Sequence, residues 1–330
     1  MTGPAIGKLD RRDLRAILIL ILFFGFLALL AGWAVSRHVA KADRLSRLLD
    51  SKVCPKCDLD GVDLEDADLA GGNLEDATLR QAKLEDADLQ EINLVRAILS
   101  EANLTRARLS RANLNEAILN QVVLFKADLT GANLSKTYLG DTNLRQATLV
   151  NADLSEANLA RANLGQANLR DADLGDVNLS RANLRQTDLR RANFGGADLV
   201  NAKLNEANLA RANLPRTNLN RAVLTRTNLQ DANFSSADLG HADLTGANLT
   251  NTYLGEANLS QTNLSGATLV GTNLAKANLS GANLSGAKFN GVNLRRADLT
   301  GANLSGIDLS TAKFCKTKMP DETVENRDCL

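Results

Sequence analysis

The sequence predicts an all-β solenoid, a stack of short parallel coils, preceded by one apolar α-helix. Three observations carry that prediction. A large apolar residue recurs at every fifth position from Leu59 to Met319 without an insertion. A small residue, mostly Ala, stands two places before each of these centres, as in Ala157-Asn158-Leu159. Opposite charges recur at every twentieth position, as if side chains were stacked on successive coils. Composition agrees, because aromatics make up only 3% of the 330 residues. A globular core of this size draws much of its packing from large rings, so the chain must fill its interior with Leu and Ala.

Taken in chain order, residues 1–15 form a basic tail with Lys8, Arg11, Arg12 and Arg15. Residues 16–36 follow as a membrane-spanning helix, since Ala16 to Val35 carry no charge and a helix of that length matches the roughly 30 Å hydrocarbon core of a bilayer. Trp33 near its end suits the interfacial aromatic belt. A cleaved signal peptide is the competing reading, with Ala40-Lys41-Ala42 as a cleavage site, although Arg37 and His38 intervene before it. Basic residues on both flanks leave the orientation open. Over 37–53, Val39, Ala42, Leu45, Leu48 and Leu49 recur at helical spacing among basic residues. That pattern fits either a helical cap on the first coil or a helix lying on a lipid surface.

Residues 54–319 are the repeat region and 320–330 a C-terminal tail or cap. Of the 53 centres, 48 are Leu, and Phe194, Phe234, Phe289, Phe314 and Met319 supply the rest. A period of five fits neither a helix nor a continuous strand. It fits a two-residue inward step followed by a three-residue corner, because residues two apart in extended chain point the same way. Leu and Ala then face inward, the Asn or Asp between them faces out, and Gly, Ser and Asn suit the corner. A fixed short period marks a solenoid, whose units bury their apolar face only against their neighbours.

Units such as Ala157-Asn158-Leu159-Ala160-Arg161 and Ala247-Asn248-Leu249-Thr250-Asn251 resemble the pentapeptide-repeat family. The resemblance implies a right-handed, four-sided (quadrilateral) parallel β-helix with four pentapeptides per coil and about 13 coils. Side chains four units apart should then stack about 4.8 Å from one another, where opposite charges are favoured. Asp76, Arg96, Glu116, Lys136 and Glu156 alternate in sign at that interval, and Asp171 falls under Arg191 and Arg211 under Asp231. Intervals of three and five units show no such preference. Gln146, Gln166 and Gln186 should form an amide column.

Cys54 and Cys57 fall at the opening of the first coil, and Cys315 and Cys329 bracket the exit at Met319-Pro320. Each pair is a candidate disulfide. Cys54-Pro55-Lys56-Cys57 also permits a redox pair or half a zinc site, though the sequence completes no metal site around it. Cys-bearing ends are similar to those of membrane-associated or exported cyanobacterial members of the family, and an even cysteine count leans towards an oxidising compartment such as a periplasm or thylakoid lumen.

Net charge is zero, with 38 basic and 38 acidic residues, so electrostatic signals must be local. Between Asp58 and Glu91 there are 12 carboxylates, and the segment Leu64 to Leu69 recurs at Leu84 to Leu89. Glu65, Asp66 and Asp68 would stack on Glu85, Asp86 and Asp88, a weak candidate for a hard cation such as Ca²⁺. The alternative is a solvated acidic face neutralised by Arg106 and Arg108. Between Arg161 and Arg226, 11 basic residues face 6 acids, and Arg161, Arg170, Arg181, Arg190, Arg191 and Arg211 form a candidate belt for an anionic partner. Salt bridging within the columns is the alternative. A filled narrow tube has no cavity to exclude water, and the sequence holds no catalytic signature, cofactor motif or expected metal. The expected function is a non-catalytic, membrane-tethered scaffold for protein partners. Two further readings are a DNA-mimicking, topoisomerase-binding rod, which the family implies but which needs a strongly anionic surface, and a redox protein using Cys54 and Cys57. Nucleic-acid binding is not expected.

Overall fold

The computed structural model describes residues 44–329, and within them the chain coils as a parallel β-solenoid. The basic tail, the predicted span at 16–36 and the start of the 37–53 segment lie outside the described residues. Among the described residues no helix is long and apolar enough to cross a membrane. Parallel bridges join residue n to n+20 from Val53↔Asn73 through to Asp298↔Lys318, so four pentapeptides complete one coil. Four flat sides, each one pentapeptide, alternate with four corners. The corners are numbered here I (residues 60–61, 80–81 and onward by 20), II (65–66), III (70–71) and IV (75–76). At strand spacing the 13 or so coils stack to about 60–65 Å.

The interior is dry and narrow. Every central Leu from Leu59 to Leu299 is buried, as are Phe194, Phe234 and Phe314, and wherever Ala stands two residues earlier it is buried too, except for the partly buried Ala67 on the opening coil. Thr occupies some of these small inward positions, and its hydroxyl is mostly satisfied by the coil below: Thr142 Oγ1 donates to Leu119 O at 2.9 Å and Thr227 Oγ1 to Leu204 O at 2.9 Å, whereas Thr137 Oγ1 donates within its own coil to Leu134 O.

One unit shows why five residues suffice. Asn163 N–H donates down to Thr142 O, Leu164 N–H up to Asn183 O, and Gln166 N–H up to Arg185 O, at 2.8, 2.8 and 2.9 Å. Ala162 N–H closes the preceding turn onto Leu159 O at 3.0 Å. The fifth amide, Gly165 N–H, is taken by the Asn163 side chain, whose Oδ1 accepts it at 3.2 Å. All five donors are paired, as an ordered backbone requires. The Asn or Asp of the repeat is therefore a turn-forming acceptor as well as an outward-facing residue. The last residue of the corner adopts φ near +60°, whether it is Gly131 (64°), Arg161 (61°) or Glu206 (60°). Positive φ at the third turn residue alone is the type II pattern. Left-handed backbone costs a non-Gly residue about 1–2 kcal/mol, and the ladder bond from its own N–H holds it there.

Both ends are closed. A short helix, α1 (44–51), seats Leu48 fully buried on the first coil and packs Leu45 against the core, while Leu49 stays 48% exposed. The four strands longer than a single bridge, each of two or three residues, all lie towards the other end: β1 (Thr268–Val270) pairs in parallel with β2 (Lys288–Asn290), and β3 (Thr317–Lys318) pairs antiparallel with β4 (Val324–Glu325). On the last coil the ladder skips residue 308, and Phe289, Leu304, Ile307 and Leu309 are only partly buried. Phe289 is thus a centre that is not fully core. The C-terminal tail folds back over this end. Arg327 lies 4.7 Å from the Phe314 ring and donates to Leu309 O and Ala312 O at 2.6 Å each. Asp328 accepts from Phe314 N–H at 2.8 Å.

Candidate interaction surfaces

With the interior filled, all chemistry lies at the corners and on the outer positions of the sides. The charge columns expected from one coil to the next are present in part as contacts, Glu116 making no ion pair with Arg96 or Lys136 among the described residues. Arg96 Nε donates to Asp76 at 2.8 Å, Arg161 Nε to Asp141 at 2.7 Å and Arg191 Nε to Asp171 at 2.5 Å. Lys136 reaches Glu156 at 3.9 Å and Arg211 reaches Asp231 at 3.8 Å. Gln146, Gln166 and Gln186 form a hydrogen-bonded column at 2.8 and 3.0 Å, which continues through Glu206 to Arg226. Amide ladders that periodicity did not disclose run along the sides, as in Asn233 to Asn213 to Asn193 to Asp173 at 2.9, 3.1 and 2.9 Å.

The acidic coils are dispersed rather than convergent. Asp68 is held by Lys52 at 2.6 Å, Asp86 by Arg106, Asp88 by Arg108 at 3.1 Å, and Glu85 accepts from Asn103. Glu65 and Asp66 make no ion pair among the described residues. Nor is any group of three or more His, Cys, Asp or Glu among the described residues arranged to hold a metal ion.

The candidate basic belt divides. Arg161 and Arg181 stand on corner I, whereas Arg170, Arg190, Arg191 and Arg211 stand on corner III, half a coil and one rod diameter away. The belt is corrected on that ground: arginines close in sequence are sorted onto opposite corners by their position within the coil. Corner III holds a shallow cleft of about 230 Å³ lined by Arg170, Arg190, Arg191, Ala210 and Arg211. These arginines keep carboxylate neighbours, with Arg190 on Asp188 at 2.5 Å and Arg170 on Asp171 at 3.3 Å. Corner II contributes Arg145, Arg185 and Arg226, which no belt drawn along the chain would join to them. They line two adjoining clefts of about 290 and 430 Å³ that share Arg185 and Gln186. Corners II and III border one flat side, floored by Thr148, Asn168, Asp188, Asn208 and Asn228. Seven arginines and no lysine rim that side between residues 145 and 226. Sorting charges by corner would have found this arrangement in the sequence.

The carboxylates beneath arginines ionise more readily than usual. Hydrogen bonds from Arg96, Arg106, Arg161, Arg191 and Arg190 lower Asp76, Asp86, Asp141, Asp171 and Asp188 respectively below the ordinary Asp range. A folded-state value below the unfolded one adds stability above the unfolded value, near pH 4, and that stability is lost as pH falls through the folded value. The thermal midpoint is therefore expected to stay level from pH 7 to 5 and to fall below about pH 4, less steeply in molar salt, where exposed pairs are screened. A midpoint unchanged down to pH 2.5 in circular-dichroism melts would show that the columns add nothing.

The cysteines are paired as Cys54–Cys57 and Cys315–Cys329. Cys54 is 6% exposed and belongs to the core of the opening coil. Helix α1 ends just before it, so a carboxyl end adjoins this pair, not the amide end that stabilises a thiolate.

These features define a closed four-sided β-solenoid with a solid interior and a patterned exterior. Pentapeptide-repeat sequence profiles match residues 57–121, 127–205 and 277–314 in overlapping copies, and a pentapeptide-repeat-region profile matches 187–264. The chain belongs to the pentapeptide-repeat family, whose repeat implies the right-handed quadrilateral coil. Among solved structures it is similar to HetL, a pentapeptide repeat protein involved in heterocyst differentiation regulation from the cyanobacterium Nostoc sp. strain PCC 7120. Identity there is 32%, over 85% of this chain and 97% of HetL, with a TM-score of 0.24. A pentapeptide repeat protein of the cyanobacterium Cyanothece 51142 is 35% identical over 34% of this chain and 88% of its own, with a TM-score of 0.21. QnrB1, a plasmid-mediated fluoroquinolone resistance protein, is 19% identical over 57% and 91%, with a TM-score of 0.32. No curated protein matches the chain significantly.

Proposed function

We propose that the chain is a non-catalytic scaffold, tethered to a membrane by residues 16–36, whose rod presents an arginine-rimmed side to an acidic protein partner on the extracytoplasmic face. The observation that carries this reading is the side between corners II and III. Arginine offers forked donors that match carboxylates, and guanidinium groups on two parallel edges can grip an extended acidic segment between them. The solid interior supports a binding role over a catalytic one, since the clefts are shallow and open. The even charge balance and the arginine rim oppose a role as a mimic of duplex DNA, which needs a polyanionic surface.

Reversing Arg170 and Arg211 to Glu tests the docking side. Exposed pairs contribute about 0–1 kcal/mol each to stability, so the melting temperature should barely change. The set of neighbours tagged by a biotin ligase fused to the C-terminus should lose its strongest members. An unchanged set would remove this side as the docking surface. Alkaline carbonate washing tests the tether separately: the full chain should stay with membranes, and its release would refute the span.

A further inference from the structure

Corner II carries a second pattern, which shares Arg145 and Arg185 with the side proposed above but extends to its acidic end. Along the rod its first turn residues read Glu65, Glu85, Thr105, Phe125, Arg145, Gly165, Arg185, one per coil. The acidic end is under-neutralised. Glu65 and Asp66 form no ion pair among the described residues, and Glu85 accepts only from Asn103, its other carboxylate oxygen being buried without a hydrogen-bond partner there. The basic stretch is under-neutralised too. Arg185 donates only to Asn205 Oδ1, at 3.2 Å, and Arg145 makes no side-chain hydrogen bond or ion pair among the described residues. Gly165 between them carries no side chain, and the cleft of about 290 Å³ opens there. Midway stands Phe125, the single aromatic at any turn position of the repeat region, partly exposed, with Lys126 Nζ 5.2 Å from its ring centre.

We infer that corner II is a self-association surface, and that its partner is a second copy of this chain, antiparallel, with the two-fold axis passing through Phe125. The equal coil spacing sets the register. Residues 65 and 185 each lie three coils from Phe125, residues 85 and 165 two coils, and residues 105 and 145 one coil. Turning one copy end for end places Glu65 and Asp66 against Arg185 of the other. It places Glu85 over the opening at Gly165, flanked one coil to either side by Arg145 and Arg185. A two-fold interface is self-complementary by construction, so each acid–base contact occurs twice. Phe125 meets its own copy at the centre, where an aromatic anchor is worth most. Lys126 and Asp128 leave the axis without net charge. Opposite potentials on one surface also exclude the parallel arrangement, which would set acid on acid and arginine on arginine.

The test uses the full-length chain and sedimentation at low and high salt. The wild type should dimerise, and more weakly as salt rises. The variant Arg145→Glu/Arg185→Glu and the variant Glu65→Arg/Glu85→Arg should each self-associate at least about tenfold more weakly, with melting temperatures close to wild type. A one-to-one mixture of the two should recover the dimer, because each now presents the charge the other lacks. Phe125→Cys should form a disulfide-linked dimer on mild oxidation, since a residue on the axis meets itself, whereas Asn120→Cys on corner I should not. A wild type that stays monomeric at tens of micromolar in low salt overturns the inference. So does a mixture that fails to associate, which also guards against the trivial case of reversed variants that merely misfold.

Discussion

Truncating Leu184 to Ala is expected to destabilise the rod by about 2–5 kcal/mol, as for other fully buried Leu side chains, read from the midpoint of urea unfolding. Leu184 is fully buried at mid-rod. The tube is too narrow for neighbours to collapse into the space, because each coil is fixed by ladder bonds to the coils on both sides: Leu184 N–H itself donates to Lys203 O at 2.7 Å. The same change near an end should cost less global stability. Solenoid stability is close to a sum of coil and interface terms, so a terminal defect frays locally while a central one separates two halves. Hydrogen exchange would distinguish these outcomes. Protection lost only in coils adjacent to residue 184 would mean that the rod unfolds piecewise, and protection lost throughout would mean one cooperative unit.

Replacing both Cys315 and Cys329 by Ser should release the C-terminal cap. The bond joins residues 14 apart, and a loop of that length is worth about 3 kcal/mol in the chain-entropy account. The coil beneath is already the weakest, since its ladder skips residue 308 and Leu304, Ile307 and Leu309 are incompletely covered. The expected result is rapid proteolysis between residues 304 and 329 with the remaining coils intact. Resistance equal to wild type would show that Arg327, Asp328 and the β3–β4 pairing hold the cap unaided. The Cys54–Cys57 pair closes only a short turn, so its removal should matter less.

The period and the coil were legible because they rest on repetition: any one Asp–Arg pair is chance, but Asp76 with Arg96 and Asp171 with Arg191 at one interval is geometry. The purpose of the Asn or Asp was only half legible. Alternation puts Asn163 outside, yet that its oxygen turns back to take Gly165 N–H depends on a side-chain torsion that no spacing reports. The corner chemistry ran against local preference as well. Gly and Asn suit positive φ, whereas Arg161, Glu206 and Lys276 adopt it here at φ of 61°, 60° and 61°, each overruled by a ladder bond from its own N–H. The belt failed for a different reason. Arg161 and Arg170 are close along the chain, and a coil of four sides converts their short separation into nearly half a revolution.

That conversion has an evolutionary side. One pentapeptide is a quarter revolution, so losing a unit such as Thr130 to Leu134 leaves every remaining Leu and Ala facing inward and disturbs stacking only at the splice. Everything beyond the splice, however, is swung by a right angle, and Arg145 and Arg185 leave the edge that bears Glu65 and Glu85. Losing four units restores them. The rod thus behaves as a combination dial: duplication or deletion of fifteen bases of coding sequence re-aims whole surfaces against one another without touching the core that keeps the protein folded.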